Sequence, residues 1–297
     1  MISIQHSRRY FMLALSSAAL AARALGNPRA ASADTPSLGF SAIEAVLGGR
    51  VGVAALDTET GKHLGYRAAE RFPLCSTFKV PAVAAVLARV DAGSERLDRI
   101  VPYGPADLLE YAPITRAHAA DGGMRVDALC EAAICYSDNT AANLLLTTLD
   151  GPSGLTSRLR KWGDPTSRLD RNEPTLNEAL EGDPRDTTTP AAMLADLRKI
   201  LLGDILSDSS RALITGWLVG NTTGNARLRA GLPGTWRVGD KTGSGERGAT
   251  NDVAIAWPPD RKPILIAAYL HGSQKDGALR NAALADIARS LAAQLSA

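Results

Sequence analysis

The chain has 297 residues, 45% hydrophobic and 22% charged, with a formal net charge of +2. This is ordinary globular composition, enough to bury a large core as one two-lobed domain or as two domains. Residues 1–33 hold Arg8, Arg9, Arg23 and Arg29 and no acid; without them 29 Lys and Arg face 31 Asp and Glu, a net −2 with no basic runs, which argues against nucleic acid or an anionic membrane as partner.

The first segment reads as an export leader. Its apolar stretch, Tyr10 to Leu20, is too short for a membrane span, and Ala31-Ser32-Ala33 forms a cleavage site before Asp34. Ser7-Arg8-Arg9-Tyr10-Phe11-Met12 resembles the twin-arginine signal, which sends folded proteins out of a bacterial cytoplasm to the periplasm or beyond; Sec export is the alternative. No cysteine precedes the cleavage site, so a lipid anchor is not supported. From Asp34 the pattern predicts a helix over about 41–47, then strands at 50–56 and 64–67 around Thr60-Gly61-Lys62. From Ser76 to Gly220 the periodicity is helical, with segments over 76–90, 126–136, 140–149, 154–161, 190–202 and 209–219. Strands return over 236–242, 251–257 and 263–270, and 278–295 closes as an amphipathic helix. Strands from both ends around a helical middle imply an α/β plus all-α fold. Residues 34–297 would form a single domain: an α/β lobe with an antiparallel sheet (about 34–70 and 220–297) and an inserted helical lobe (about 71–219), with the site in the cleft between. The stretch from Gly163 to Asp186 lacks apolar periodicity, and such long loops are often functional.

Four short patterns carry candidate chemistry. Ser76 and Lys79 open an apolar run; in a helix, three residues turn about 300° and rise roughly 4.5 Å, which puts hydroxyl and amine on one face. A lysine whose pKa is lowered by burial or nearby cations can take a serine proton, and the free N–H groups of a helix start suit an oxyanion. Ser137-Asp138-Asn139 lies between two apolar helices, where helix capping is the simpler reading. Lys241-Thr242-Gly243 ends a predicted strand before Ser244, where a ligand can approach an edge closely or the chain simply turns. Glu173, with Asn177 four residues on, is either a solvated partner of Arg168 or Arg171 or a carboxylate held in place by Pro174.

Other chemistries fit poorly. Gly234 to Thr242 nearly spells a phosphate-binding loop, but Asp240 separates Gly239 from Lys241 and no helix follows. His6, His63, His118 and His271 show no zinc-ligand spacing, so neither a metal nor another cofactor is expected. Cys130 and Cys135 lie about 140° apart on one predicted helix and should not bridge; with Cys75 they are expected to be free, buried thiols.

Together and in this order, the four patterns resemble the class A serine β-lactamases over essentially the whole chain after the leader, including Asn221-Thr222-Thr223-Gly224-Asn225. The resemblance implies an antibiotic-resistance enzyme that opens the β-lactam ring of penicillins and cephalosporins through an acyl-enzyme on Ser76. The proton acceptor for acylation would be Lys79, or Glu173 through a water. The backbone N–H groups of Ser76 and Ser244 would form the oxyanion hole, and Ser137 would protonate the leaving nitrogen. Asn139 would bind the substrate amide; Lys241, Thr242, Ser244 and Arg227 would meet its carboxylate. Glu173 and Asn177 would direct the hydrolytic water, with Tyr111 at the cleft mouth and Glu110 at its rim. Many relatives carry the carboxylate-binding arginine where this chain has Thr250, and Arg227 matches the alternative arginine of another branch. Cys75 would face Gly245, so the disulfide of some carbapenem-hydrolysing relatives is absent, and Ser244 would broaden the range toward cephalosporins. A monomer is expected. The rival readings are a D,D-peptidase, which lacks the glutamate loop, and a β-lactam sensor, which belongs to membrane proteins.

Overall fold

Apolar strands covered on both faces organise this protein, whose computed structural model describes residues 39–295. The leader and its cleavage site lie outside the described residues. Along the chain come α1 (Phe40–Leu47), β1 (Arg50–Asp57), β2 (His63–Tyr66), β3 (Phe72–Pro73), α2 (Lys79–Asp91), β4 (Ile100–Val101), β5 (Met124–Arg125), α3 (Val126–Cys135) and α4 (Asn139–Thr147). They are followed by α5 (Gly151–Lys161), β6 (Thr187–Thr188), α6 (Pro190–Leu202), α7 (Asp208–Val219), α8 (Leu228–Gly231), β7 (Arg237–Ser244), β8 (Thr250–Trp257), β9 (Ile264–His271) and α9 (Gly277–Leu295).

The sheet runs β2-β1-β9-β8-β7 with every neighbour antiparallel; Val53 faces Ala268, Val253 faces Ala267 and Lys241 faces Val253. Successive side chains point to opposite faces. Val53, Ala55, Ile266 and Ala268 therefore pack with Phe40 of α1 and with Leu284, Ile287 and Leu291 of α9. Ala54, Leu56, Leu265, Ala267 and Tyr269 join the core of the helical lobe instead. At the centre of that lobe is α2, whose Val80, Val83, Ala84, Val86 and Leu87 are all 0% exposed, so the helix is buried all round. Pro81 is accepted because it lies in the first turn, where the missing N–H has no intrahelical partner.

The fold matches the expected α/β lobe with an inserted helical lobe, and most predicted elements fall within a few residues of their places. The exceptions are short. The pairs β3 with β6 and β4 with β5 have two residues per strand, and α8 has four, too few for periodicity to register. The helix start expected at Ser76 is a 3₁₀ turn over Cys75–Phe78, with α2 proper beginning at Lys79. Leu74 N donates to Asp186 O at 2.8 Å, which ties this turn to the exit of the 163–186 loop. Among the described residues no helix is long and apolar enough to cross a membrane.

Candidate active site

The Ser76 turn is fixed from both sides. Cys75, its predecessor, is buried with a left-handed φ of 43°, a conformation a non-glycine residue holds only when its surroundings impose it. Behind it runs β7, and a Cβ on Gly243 would come within 3.0 Å of Leu74 O and 3.2 Å of Cys75 Cβ. A side chain there would crowd the Ser76 turn, so glycine suits an edge strand this close to it. Ser76 Oγ donates to Glu173 Oε1 at 3.0 Å. Lys79 Nζ lies 3.2 Å from the same oxygen and donates to Ser137 O at 2.8 Å and Asn139 Oδ1 at 2.6 Å. The helical spacing predicts serine and lysine on one face; the structure places them so, and both meet one carboxylate oxygen, that of Glu173.

Ser137-Asp138-Asn139 divides its labour. Asp138 caps α4, accepting from Ala141 N at 2.9 Å, and also accepts from Ile114 N and from the Thr115 N–H and hydroxyl, so capping accounts for the aspartate. Ser137 has a φ of 57°, and its Oγ accepts from Lys79 Nζ at 3.3 Å and Lys241 Nζ at 2.9 Å. Both lysines are 0% exposed. Burial lowers the Lys79 pKa from the usual amine value, opposed by Glu173. Burial pushes Lys241 well down, and the charges of Lys79 and Arg227 push it further.

Glu173 is one of several buried side chains of the 163–186 loop, with Leu169, Leu176 and Asp186. The expected alternatives for its partner do not hold: Arg168 pairs with Asp170, and Arg171 pairs with Asp186 and Glu178. Asn143, one turn beyond Asn139 on α4, clamps the glutamate's backbone, donating to Glu173 O at 2.9 Å and accepting from Glu173 N at 3.0 Å. Asn177 Nδ2 donates to Glu173 Oε2, while its Oδ1 is buried with no protein partner among the described residues. The loop's neck is closed by buried Asp186, which accepts from Asp170 N at 2.7 Å, Arg171 N at 2.9 Å and Arg171 Nε at 2.6 Å.

These groups open onto a cleft of about 330 Å³ lined by Ser76, Tyr111, Ser137, Asn139, Asn177, Thr223, Arg227, Thr242, Gly243 and Ser244. Lys79, Glu173 and Lys241 lie buried behind it. Arg227 Nη2 donates to Ser244 Oγ at 2.7 Å, and its Nη1 to Gly243 O and Asn251 O, while Asn281 Oδ1 accepts from its Nε at 3.0 Å. Tyr111 is half exposed at the mouth, and Glu110 is exposed beside it. The sequence reading missed Asn143, Thr223 and Asn281. Asn143 had a signal, its spacing of four from Asn139; Thr223, whose hydroxyl is 2.6 Å from that of Thr242, stood in the 221–225 stretch without a role; Asn281 had no signal, since only the fold brings it to Arg227. A larger hollow of about 730 Å³, lined by Arg89, Arg99 and Leu144 among others, lies elsewhere, so volume alone does not mark the chemistry. Among the described residues no group of three or more His, Cys, Asp or Glu side chains is placed to hold a metal ion.

A model of the beta-lactamase enzyme family matches residues 40–295. The chain belongs to that family. It is 50% identical over 250 residues to beta-lactamase AST-1 of Nocardia asteroides, covering 84% of this chain and 80% of that protein. It is 48% identical to beta-lactamase CTX-M-25 of Escherichia coli, covering 88% and 90%. A solved structure of the last common ancestor of Gram-negative bacteria beta-lactamase class A superposes with a TM-score of 0.86 at 60% identity, covering 87% of this chain and 98% of that one. As a class A β-lactamase the chain has its own features. Thr250 Oγ1 accepts from Arg280 Nε at 3.0 Å, so the position that holds an arginine in many relatives receives one from α9. Cys75, Cys130 and Cys135 are free and buried, and a Cβ on Gly245 would meet Cys75 Sγ at 2.8 Å.

Proposed function

We propose that this chain hydrolyses the β-lactam ring of penicillins and cephalosporins, and so confers resistance, through an acyl-enzyme on Ser76. The observation that carries the reading is the buried contact of Ser76 Oγ and Lys79 Nζ with one oxygen of Glu173. As Oγ attacks the lactam carbonyl its proton passes to Glu173 Oε1, to which it is hydrogen-bonded, or to Lys79, whose pKa burial lowers and which serves alone when the carboxylate is removed. From either acceptor the proton goes on through Lys79 Nζ and Ser137 Oγ to the departing ring nitrogen, which leaves Glu173 an ionised carboxylate for the second half-reaction. The N–H groups of Ser76 and Ser244 take the oxyanion. Asn139 meets the substrate's amide, and Lys241, Thr242, Ser244 and Arg227 its carboxylate, with Tyr111 at the mouth. In the second half-reaction Glu173 takes a proton from water held against Asn177 Oδ1, water adds to the ester carbonyl, and Ser76 leaves with the proton restored.

We further infer that residues 1–33 are a leader, of twin-arginine type, removed on export from a bacterial cytoplasm, and that residues from Asp34 onward act as a single, monomeric domain. The test is intact mass and product yield after mixing the protein from Asp34 onward with a tenfold excess of benzylpenicillin. Complete hydrolysis with return to the original mass is the expected result. One penicillin left on Ser76 with little product would mean that Glu173 does not deacylate, as in a peptidase or a sensor.

A further inference from the structure

Three consecutive loop carbonyls under the site each accept a hydrogen bond from the α/β lobe. Glu246 N donates to Asn177 O at 2.9 Å, Arg247 Nη1 to Glu178 O, and His271 Nε2 to Ala179 O at 2.9 Å. The first two donors belong to the exposed turn between β7 and β8, whereas His271 is 5% exposed at the end of β9. A carbonyl only accepts, so Nε2 carries the hydrogen. Ala179 is a buried non-glycine residue with a φ of 50°, packed with Cys75 and Ala249 beneath the nucleophile turn. Outside any helix or sheet ladder, its carbonyl depends on this donor, and a buried carbonyl left unpaired is costly. The end of β9 is also joined to the turn, since Gly272 N donates to Arg247 O at 2.8 Å.

We propose that His271 is a positioning residue for deacylation. Its Nε2–H holds the Ala179 carbonyl, and through Ala179 it holds the Asn177 and Glu173 pair where the hydrolytic water is activated. The inference rests on the acyl-enzyme reading above. His271 does not line the cleft, and the Ser76 turn, Lys79 and Ser137 are held by other bonds. Losing the tether therefore lengthens the life of the acyl-enzyme, while acylation, for which Lys79 remains in place as a proton acceptor, is spared.

The test compares His271→Met, which keeps the volume without a donor, with His271→Gln, whose amide nitrogen reaches the place of Nε2, and His271→Asn, whose amide falls short. Acylation and deacylation rates are measured separately with a chromogenic cephalosporin, alongside amide exchange over residues 172–181. The Met and Asn variants should deacylate about tenfold more slowly with acylation within about twofold of wild type, and with faster exchange confined to the loop, while Gln recovers deacylation to within about threefold. Wild-type deacylation in Met or Asn overturns the proposal, as does a Gln variant as slow as Met, which would mean packing rather than the donor matters. Should Met fail to fold, Gln against Asn still decides. Wild-type protein that cannot shed penicillin defeats the acyl-enzyme reading itself, whereas a normal wild type with unaffected variants defeats only the tether.

Discussion

The two walls of the cleft are built in opposite ways. On the helical side, Lys79 and Asn139 open α2 and α4, Ser76 and Ser137 sit in the turns just before them, and the buried core around α2 fixes all four. On the loop side, Glu173 stands in a segment with no long helix or strand, and side-chain bonds fix it: Asn143 on its backbone, Asp186 across the neck, His271 beneath. The difference teaches where each half-reaction is vulnerable. On the proposed mechanism, the groups held by the helical core act in acylation and are disturbed chiefly by removing them, whereas Glu173 can be displaced by loosening any of several distant clamps.

The sharpest way to separate the walls is to delete one chemical group from each. Ser76→Ala should lower turnover at least about a thousandfold with no covalent adduct by mass, since removing a nucleophile removes the pathway. Glu173→Ala should still form an adduct when reacted with penicillin but retain it, with steady-state turnover down at least about a hundredfold; rapid turnover in this variant would break the assignment of the carboxylate to water activation. Next in size comes the neck. Asp186→Ala leaves Arg171 and two N–H groups without their buried acceptor and should cost about 3 kcal/mol of stability in urea unfolding, with slower deacylation. An unchanged midpoint would show that the loop does not need its clamp.

A pH dependence is confined to the loop wall. Asp164, at the loop's entry, accepts from Thr166 N and Ser167 N and shares a hydrogen bond with Asp196 of α6. Asp196 is 1% exposed, and if both carboxyls were ionised its oxygens would have no donor; burial, with the Asp164 charge second, raises its pKa to about 9. Against an unfolded value of about 3.9, folded Asp196 holds a proton that the unfolded chain has lost. Its contribution is fully present below about pH 4 and declines, by up to about 1.4 kcal/mol per unit, as pH rises to about 9. Asp196→Asn, which can still donate to Asp164, should flatten this decline and be the more stable form at pH 8.5 by thermal unfolding. Parallel curves for the two proteins would break the idea of a shared proton.

Most of the architecture was legible because its signals are local. Alternation with a turn marked β1, short apolar stretches marked β8 and β9, the unbroken apolar run marked α2, and Ser76, Lys79, Ser137, Asn139, Lys241 and Thr242 stood in compact patterns at element ends. Partner choice was not legible. The sequence put Ser76 and Lys79 on one face by helical spacing, but the hydroxyl donates to Glu173, 97 residues away. Glu173 had surface arginines on offer nearby, and Asn143 and Lys79 took it inward instead.

By itself, then, the sequence determined which groups are present and which elements carry them, because periodicity and short motifs are properties of neighbours along the chain. Only the tertiary structure decided which buried lysine meets which carboxylate, how Thr223, Asn281 and His271 join the site, and which charges lose their water. Those depend on approaches of a few ångström between segments distant in sequence, where burial converts a contact into a pKa shift and an unpaired carbonyl into a cost.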